Sequence, residues 1–173
     1  PYAQDKLIIE SYAKMSNKIF KVSSIGLRFF NVYGPGQKAN SLYSSVIPIF
    51  INRMIKKLPI TINGGHQTRD FIYVNDVVNV MKKSMERIQK KNICKSFNLG
   101  TGRSVKIDLL FKLIKKITKS NPQIIKKKLK KFDIKKSSGT FKKINKFFNF
   151  KVSNFTKVED GLIKTINHLK KIN

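Results

Sequence analysis

The sequence predicts an α/β fold in which helices pack on an apolar sheet. Residues 2–19 carry apolar residues at helical spacing, which predicts an amphipathic helix with a buried stripe. That stripe consists of Ile8, Tyr12, Met15 and Ile19. Residues 22–30 have little polar content, as expected of a strand covered on both faces, and a helix followed by such a strand is typical of layered α/β folds. The 173 residues, 40% of them hydrophobic, suffice for one domain with a core or for half of a larger one.

The later elements continue this alternation of helices and strands. Prolines at 59 and 122 are expected to end two amphipathic helices. Asn75 or Asp76 is expected to cap one helix, in which Val77, Met81, Met85 and Ile88 run along one side, and Ser104 to cap the next. The predicted elements are helices at 43–57, 77–88, 104–121, 141–148 and 158–169, and strands at 60–62, 70–74 and 96–99.

The net charge of +28 is the most unusual bulk property. It indicates either an anionic partner, such as nucleic acid, an anionic membrane or a phosphorylated substrate, or a general accumulation of lysine. Only five of the 37 cations are arginine, the residue that specific nucleic-acid binders prefer for base and phosphate contacts. We therefore favour lysine accumulation and do not expect specific nucleic-acid binding. The lysine-dense segment at 126–136 is either a patch for nucleic acid or a solvated face.

Several classes of protein are not indicated. A single cysteine, Cys94, excludes an internal disulfide framework, and His66 and His168 lie too far apart in sequence to predict a metal site. No run of about 18 apolar residues indicates a membrane span. The chain begins with Pro1 rather than Met, so we expect a fragment or a processed chain.

Tyr2 and Lys6 form a candidate acid/base pair at the start of the first helix. Residues four apart lie on one helical face. The pKa of a free tyrosine is ~10, and a nearby cation lowers it by roughly 1–3 units. Proton transfer near neutrality therefore needs the Lys6 ammonium and a second positive charge, such as an oxidised nicotinamide ring.

Asn31 and Arg69 are candidate ligand-binding residues. Asn31 follows the apolar strand, and ligands of open α/β sheets bind beyond the carboxyl ends of strands. Arg69 precedes a strand, where its guanidinium can hold a phosphate with two parallel hydrogen bonds. The alternatives are a turn-capping role for Asn31 and a salt bridge from Arg69 to Asp70 or a neighbour.

Five motifs in this order resemble the C-terminal half of the extended short-chain dehydrogenase/reductases, in their NAD-dependent epimerase/dehydratase branch. The resemblance is to nucleotide-sugar 4-epimerases of the UDP-glucose or UDP-N-acetylglucosamine type. The motifs are YAxxK from Tyr2, LRFFNVYGPG from Leu27, QTRDFIYVxDVV from Gln67, FNLGTG from Phe97 and VEDGL from Val158. The fold implied is the C-terminal part of a Rossmann-like doubly wound sheet plus a small mixed α/β substrate-binding domain.

The resemblance implies epimerisation at C4 of the sugar through a 4-keto intermediate. NAD would take the C4 hydride and return it to the other face. Tyr2 would take the proton of the 4-hydroxyl, and Lys6 would hold the nicotinamide ribose and lower the tyrosine pKa, so that both contact the cofactor. Phe29 and Phe30 would lie near the nicotinamide.

The substrate would be a nucleotide sugar, with a UDP-sugar expected. Asn31 would hydrogen-bond it, Arg69 would bind its diphosphate, and Lys130 would stand in for a late arginine that contacts phosphate in relatives. Asn63 occupies a position where relatives often place an aromatic ring against uracil. The lysine ammonium offers a point charge rather than the two parallel donors of an arginine, so the resemblance does not fix the affinity for the substrate.

Domain organisation and setting also follow from the resemblance. Residues 1–30 and 70–99 would end the NAD-binding domain, and residues 31–69 and 100–173 would form the substrate domain. The whole protein is expected to be a cytoplasmic homodimeric enzyme of nucleotide-sugar and polysaccharide biosynthesis. Residues 2–19 would contribute to the dimer interface.

The family's glycine-rich phosphate loop and its upstream catalytic Ser/Thr do not occur in this sequence. The isolated chain is therefore expected neither to bind NAD nor to be active. Within the family, a dehydratase or UDP-glucuronate decarboxylase activity is the alternative. Outside it, the alternatives are a basic nucleic-acid-binding protein and an inactive remnant.

Overall fold

The computed structural model describes residues 2–40, 45–89 and 92–172, without the side chains of residues 2, 3, 152 and 172. Helices and strands alternate along these ranges as the sequence predicts. The helices are α1 (Tyr2–Phe20), α2 (Val46–Ile55), α3 (Val74–Ile88), α4 (Ile107–Thr118), α5 (Lys142–Phe148) and α6 (Val158–Ile172), with a 3-10 turn at Val152–Asn154. The strands are β1 (Ser24–Phe29), β2 (Asn31–Tyr33), β3 (Ile60–Asn63), β4 (Thr68–Tyr73), β5 (Cys94–Leu99), β6 (Ser104–Lys106) and β7 (Ile124–Lys127).

The strands form three small, mostly parallel sheets. β1 pairs with β5 in parallel, from Ser24 opposite Cys94 to Phe29 opposite Leu99. β2 continues the chain beyond β1 and pairs in parallel with β4, which pairs antiparallel with β6. β3 pairs in parallel with β7, so the start of the lysine-dense segment is a strand. The predicted α/β fold class is confirmed.

Two clusters of buried side chains form the core. The larger one joins α2, α4 and α6 to β3 and to Tyr33, Phe71 and Tyr73. The smaller one joins α3 and β5 to Ile144, Phe150 and Phe155. The predicted domain boundaries remain a prediction. Ile144, Phe150 and Phe155 belong to the predicted substrate domain, yet they share the smaller cluster with β5 of the predicted NAD-binding domain.

The predicted apolar stripe of α1 exists, but it is not buried. Tyr12 is 61% exposed and Ile19 is 60% exposed, and Ile8 and Met15 are about half exposed. Small and polar residues of α1, such as Ala13 and Asn17, are instead the partly covered ones. Periodicity identifies an apolar face but not what covers it, and no described element packs over this one.

The apolar side of α3 is also only partly covered. Val77 is buried, whereas Met81 is 46% exposed and Met85 is 67% exposed.

Both predicted helix caps are wrong in detail. α4 begins at Ile107, and Ser104 lies in β6 with its Oγ donating to the carbonyl of Ser137. α3 begins at Val74, so Asp76 lies in its first turn, where its carboxylate accepts hydrogen bonds from Thr156 N and Oγ1. In both cases a tertiary contact uses the side chain that the sequence assigns to a local cap.

None of the described helices is long and apolar enough to cross a membrane.

Candidate active site

A cavity of about 310 Å³ lies where β2 and β4 meet the start of α2. It brings together Asn31, Arg69 and Asn63, the three cavity residues that the sequence analysis singles out. Its other lining residues are Ser45, Val46, Ile49, Phe50, Thr61, Gln67, Phe71, Ile107 and Asp133. Apolar walls with a few polar groups are typical of small-molecule sites.

Arg69 keeps part of its guanidinium available for a ligand. Nη1 donates to the carbonyls of Thr68 and Ile134, at 2.9 and 2.5 Å, and Nη2 donates to Asp133 Oδ1 at 2.9 Å. A guanidinium has five N–H donors, so Nε–H and one Nη2–H make no hydrogen bond with the described residues. The predicted salt-bridge alternative is thus correct in kind, but its partner is Asp133 and not Asp70.

Asn31 is anchored on one side and open on the other. Its Nδ2 donates to the main-chain carbonyl of Asp70 at 3.0 Å, which holds the side chain across the β2–β4 pair. Its Oδ1 accepts no hydrogen bond from the described residues. An amide with a free carbonyl oxygen can accept a hydrogen bond from a ligand hydroxyl or N–H.

The start of α2 adds a second favourable site for negative charge. Ser45, Val46 and Ile49, from the N-cap and first turn, line the cavity. Unpaired N–H groups and the helix dipole make a helix N-terminus attractive to anions. Ser45 makes no side-chain cap, and its buried Oγ makes no hydrogen bond in the described part of the chain. The cavity is therefore suited to an anionic ligand with polar groups.

Glu10 and Arg28 fix how α1 lies beside β1. Nε and Nη2 of Arg28 donate to the two carboxylate oxygens of Glu10, each at 2.6 Å. This pairing holds the pKa of Glu10 below its ordinary value. Only residues 21–23 join the end of α1 to the start of β1, so a contact between Glu10 and Arg28 requires the helix to run back along the strand.

Lys6 therefore lies at the carboxyl end of β1. It is one helical turn before Glu10, about 6 Å further along the helix axis. Two strand residues span about the same distance. Since Glu10 contacts Arg28, the turn that contains Lys6 lies level with Phe30, two residues beyond Arg28. Tyr2 begins α1 a further turn away, and its side chain lies outside the described part of the structure.

Phe29 ends β1 and Phe30 follows it, and the two rings have different environments. Phe29 is 49% exposed. Phe30 donates its N–H to the carbonyl of Leu99, and its ring packs so closely on Gly100 and Gly139 that a Cβ on either would lie 3.1 Å from it. The ring of Phe29 is thus exposed, whereas the ring of Phe30 is held by packing.

Asp70 is the residue that sequence reasoning missed. Its carboxylate is fully buried and accepts hydrogen bonds from the N–H groups of Thr101, Gly102 and Gly139 and from Thr101 Oγ1, at 2.7 to 2.9 Å. It thus joins β4 to two loops beside Phe30. The only sequence signal is its place between Arg69 and a run of large apolar residues.

Lys130 does not line the cavity in the described structure. It is exposed, and its carbonyl accepts a hydrogen bond from the N–H of Asp133, which does line the cavity. Asn63 lines the cavity at the position where relatives often place an aromatic ring. The aromatic rings that line the cavity are instead those of the buried residues Phe50 and Phe71.

A model of the NAD-dependent epimerase/dehydratase family matches residues 1–100 of the 173. This chain belongs to that family, as the ordered motifs indicate. NAD dependence is a property of the family, which agrees with the predicted cofactor.

Three proteins illustrate what the chain is similar to. A UDP-glucose 4-epimerase from Thermotoga maritima, solved with UDP-glucose, is 31% identical, with a TM-score of 0.87 over 99% of this chain and 54% of its own. A UDP-N-acetylglucosamine 4-epimerase from Methanobrevibacter ruminantium, solved with UDP-N-acetylmuramic acid, is 30% identical, with a TM-score of 0.89 over 100% of this chain and 54% of its own. A dTDP-4-dehydro-6-deoxyglucose reductase from Escherichia coli is 36% identical over 114 residues, which are 65% of this chain and 35% of the reductase.

The chain thus spans about half the length of these solved structures and about a third of that curated relative.

Proposed function

We propose that this chain is the C-terminal part of an NAD-dependent enzyme that epimerises C4 of a UDP-hexose or UDP-N-acetylhexosamine. The observation that carries the proposal is the cavity where the open amide of Asn31, the free donors of Arg69 and the start of α2 converge. A nucleoside diphosphate sugar offers the matching groups, namely a diphosphate, hydroxyls and an apolar ring face. The turn of α1 that carries Lys6 lies at the same end of the sheet.

The described residues fit the nicotinamide end of NAD. The exposed Phe29 ring would offer a surface for a planar ring. Lys6 would hold the ribose next to it. NAD, when bound, would accept the C4 hydride and return it.

The residues of this chain would control the proton and the orientation of the substrate. Tyr2 would take the proton of the 4-hydroxyl as the hydride leaves and give it back when the hydride returns. Lys6 would favour the tyrosinate, because an adjacent cation lowers a tyrosine pKa.

Arg69 would bind the diphosphate with charge-assisted hydrogen bonds, and Asn31 would hydrogen-bond the nucleotide sugar. Lys130 does not line the cavity in the described structure, so the proposal assigns it no contact with the diphosphate. The sugar itself must be free to turn, so the diphosphate contacts have to hold the substrate throughout the reaction.

The proposal predicts the product formed by the complete reading frame. With NAD and a panel of UDP-sugars, we expect a C4 epimer of at least one hexose or N-acetylhexosamine, identified by NMR of the product. The 173-residue chain alone, assayed in parallel, is expected to form no product and to bind no NAD at micromolar concentration. A 4-keto-6-deoxy sugar or a pentose as the sole product would assign a dehydratase or a decarboxylase instead, and no product at all would contradict the proposal.

Arg69 is predicted to bind the diphosphate of the substrate. Replacing it with methionine should weaken the binding of UDP to the chain about 30-fold, because roughly 2 kcal/mol of charge-assisted hydrogen bonding is lost. Binding of uridine, which has no phosphate, should change less than threefold. Titration calorimetry or NMR measures both affinities.

Lys112→Met is the control for this experiment, since it removes one exposed charge from α4, away from the cavity. It should leave UDP binding unchanged. Equal losses for UDP and uridine in the Arg69 variant would mean that the cavity has collapsed, and unchanged UDP binding would remove Arg69 from the site.

A further inference from the structure

Three cavity residues on and just before β4 stand in a row along one wall of the candidate active site. They are Gln67, Arg69 and Phe71, all of which line the cavity, and residues two apart in a strand are about 6–7 Å apart on the same face. Asn31 pairs with Phe71, so the Phe71 end of the row is the end nearest the turn of α1 that contains Lys6. The row therefore runs from the proposed catalytic end, past the donors of Arg69, to Gln67.

The Gln67 end of this row would receive the nucleoside of the substrate, a placement that rests on the proposed function. In a nucleotide sugar the sugar, the diphosphate and the nucleoside are joined in line. A substrate with its sugar at the catalytic end and its diphosphate at Arg69 therefore extends its base towards Gln67.

Gln67 fixes the position of Asn63 at this end of the cavity. Its Nε2 donates to the main-chain carbonyl of Asn63 at 2.7 Å, and its Oε1 accepts from the N–H of Gly65 at 2.6 Å. Asn63 is the last residue of β3, and it lines the cavity. The side chain that stands where the base would lie is thus an amide on an anchored strand end.

The amide of Asn63 is available to a ligand. The hydrogen bond from Gln67 goes to its main chain, and its side chain makes none with the described residues. The aromatic rings that line the cavity belong to Phe50 and Phe71, each 2% exposed, so neither has an open face on which a base could stack. Recognition of the base at this end therefore depends on hydrogen bonds to its edge.

We propose that Asn63 determines which nucleobase the substrate carries, by pairing its amide with the edge of uracil. Oδ1 accepts a hydrogen bond from N3–H of the base, and Nδ2 donates to the O4 carbonyl beside it. An asparagine amide has both the acceptor and the donors for such a pair, and paired amides of this kind distinguish bases in other complexes. A base without N3–H leaves Oδ1 without a donor, and this lost pairing weakens binding.

The test compares two ligands that differ only at the atom concerned. UDP and 3-methyl-UDP have the same phosphates, ribose and ring, but a methyl group replaces N3–H in the second. In titration calorimetry with the 173-residue chain, we expect 3-methyl-UDP to bind about 20-fold more weakly than UDP. This comparison needs no variant of the protein.

Asn63→Leu has a side chain of similar size without hydrogen-bonding groups. It should bind UDP about 20-fold more weakly than the unmodified chain and should no longer distinguish the two ligands. Asn79→Leu is the matched control, because it makes the same change at an exposed position of α3 outside the cavity. It should bind both ligands as the unmodified chain does, and equal melting temperatures would show that all three proteins are folded.

Less than threefold discrimination by the unmodified chain would overturn the assignment of Asn63, and so would an Asn63→Leu variant that still discriminates. Either result would leave the proposed function standing as long as Arg69→Met weakens the binding of UDP. No binding of UDP to the unmodified chain would contradict the proposed function and this inference together.

Discussion

Replacing Asp70 with alanine is expected to lower the free energy of unfolding of this chain by about 4 kcal/mol. The carboxylate is fully buried and accepts four hydrogen bonds. Alanine would leave the main-chain N–H groups of Thr101 and Gly139 buried without acceptors, at roughly 1–3 kcal/mol each, and would also remove the acceptor of the partly buried Gly102 N–H. Total stabilities of domains are about 5–15 kcal/mol, so the loss would be a large fraction of the whole. Urea unfolding followed by circular dichroism measures it.

Two further variants identify the cause of the loss. Asp70→Asn keeps the size of the side chain but turns an N–H₂ towards main-chain donors, so it should cost nearly as much as alanine. Asp133→Ala removes a partly exposed carboxylate that accepts a hydrogen bond from Arg69, and it should cost about 1 kcal/mol or less. A loss below 1 kcal/mol for Asp70→Ala would show that water replaces the carboxylate, and that the two loops do not depend on it.

The carboxylate of Asp70 also explains why two nearby positions, 100 and 139, are occupied by glycine. A Cβ at Gly100 would lie 2.7 Å from Asp70 Oδ2, and one at Gly139 would lie 2.9 Å from it. A residue with a Cβ at either position would therefore clash with the Asp70 carboxylate, which the two loops surround. In the sequence these glycines only mark loops, since Asp70 lies 31 residues before Thr101 and 69 before Gly139.

The elements that could be predicted are those whose apolar periodicity matches a face that is buried in the structure. α4 and α6 have apolar faces that the protein itself covers with α2 and β4, so periodicity and burial agree. The stripe of α1 has the same pattern, but the partner that would cover it is not among the described elements. The short strands β2, β6 and β7 have three or four residues each, and they exist because a neighbouring strand pairs with them.

The same distinction applies to the candidate site. Asn31 and Arg69 could be selected because strand ends and arginines at loop–strand junctions have general uses in ligand binding, and the structure brings both into one cavity. The contribution of Ser45 and the start of α2 could not be foreseen, because the cavity forms only when α2 packs beside β3 and β4. The pairing of Arg69 with Asp133 likewise joins residues 64 apart.

Replacing Tyr2 with phenylalanine in the complete enzyme is expected to lower kcat by about 10³-fold, within the range for loss of a general acid/base. The ring remains and only the hydroxyl is lost, and the proposed substrate contacts of Asn31 and Arg69 are untouched, so KM should change little. Because Lys6 and the oxidised nicotinamide ring together are expected to hold the tyrosine pKa near neutrality, the rise of kcat with pH in the unmodified enzyme should be absent from the variant. Steady-state kinetics over pH 5–9, a range that brackets a pKa of about 7, measures all three quantities.

Tyr12→Phe supplies the matched control for this prediction. It removes the same hydroxyl from the same helix, at a residue that is 61% exposed and lies ten residues beyond Tyr2, about 15 Å along the axis. Its kcat and pH profile should match those of the unmodified enzyme. If Tyr2→Phe kept kcat within tenfold, or raised KM in proportion to the loss, the hydroxyl would serve binding rather than proton transfer, and the base would have to be sought elsewhere at the carboxyl end of β1.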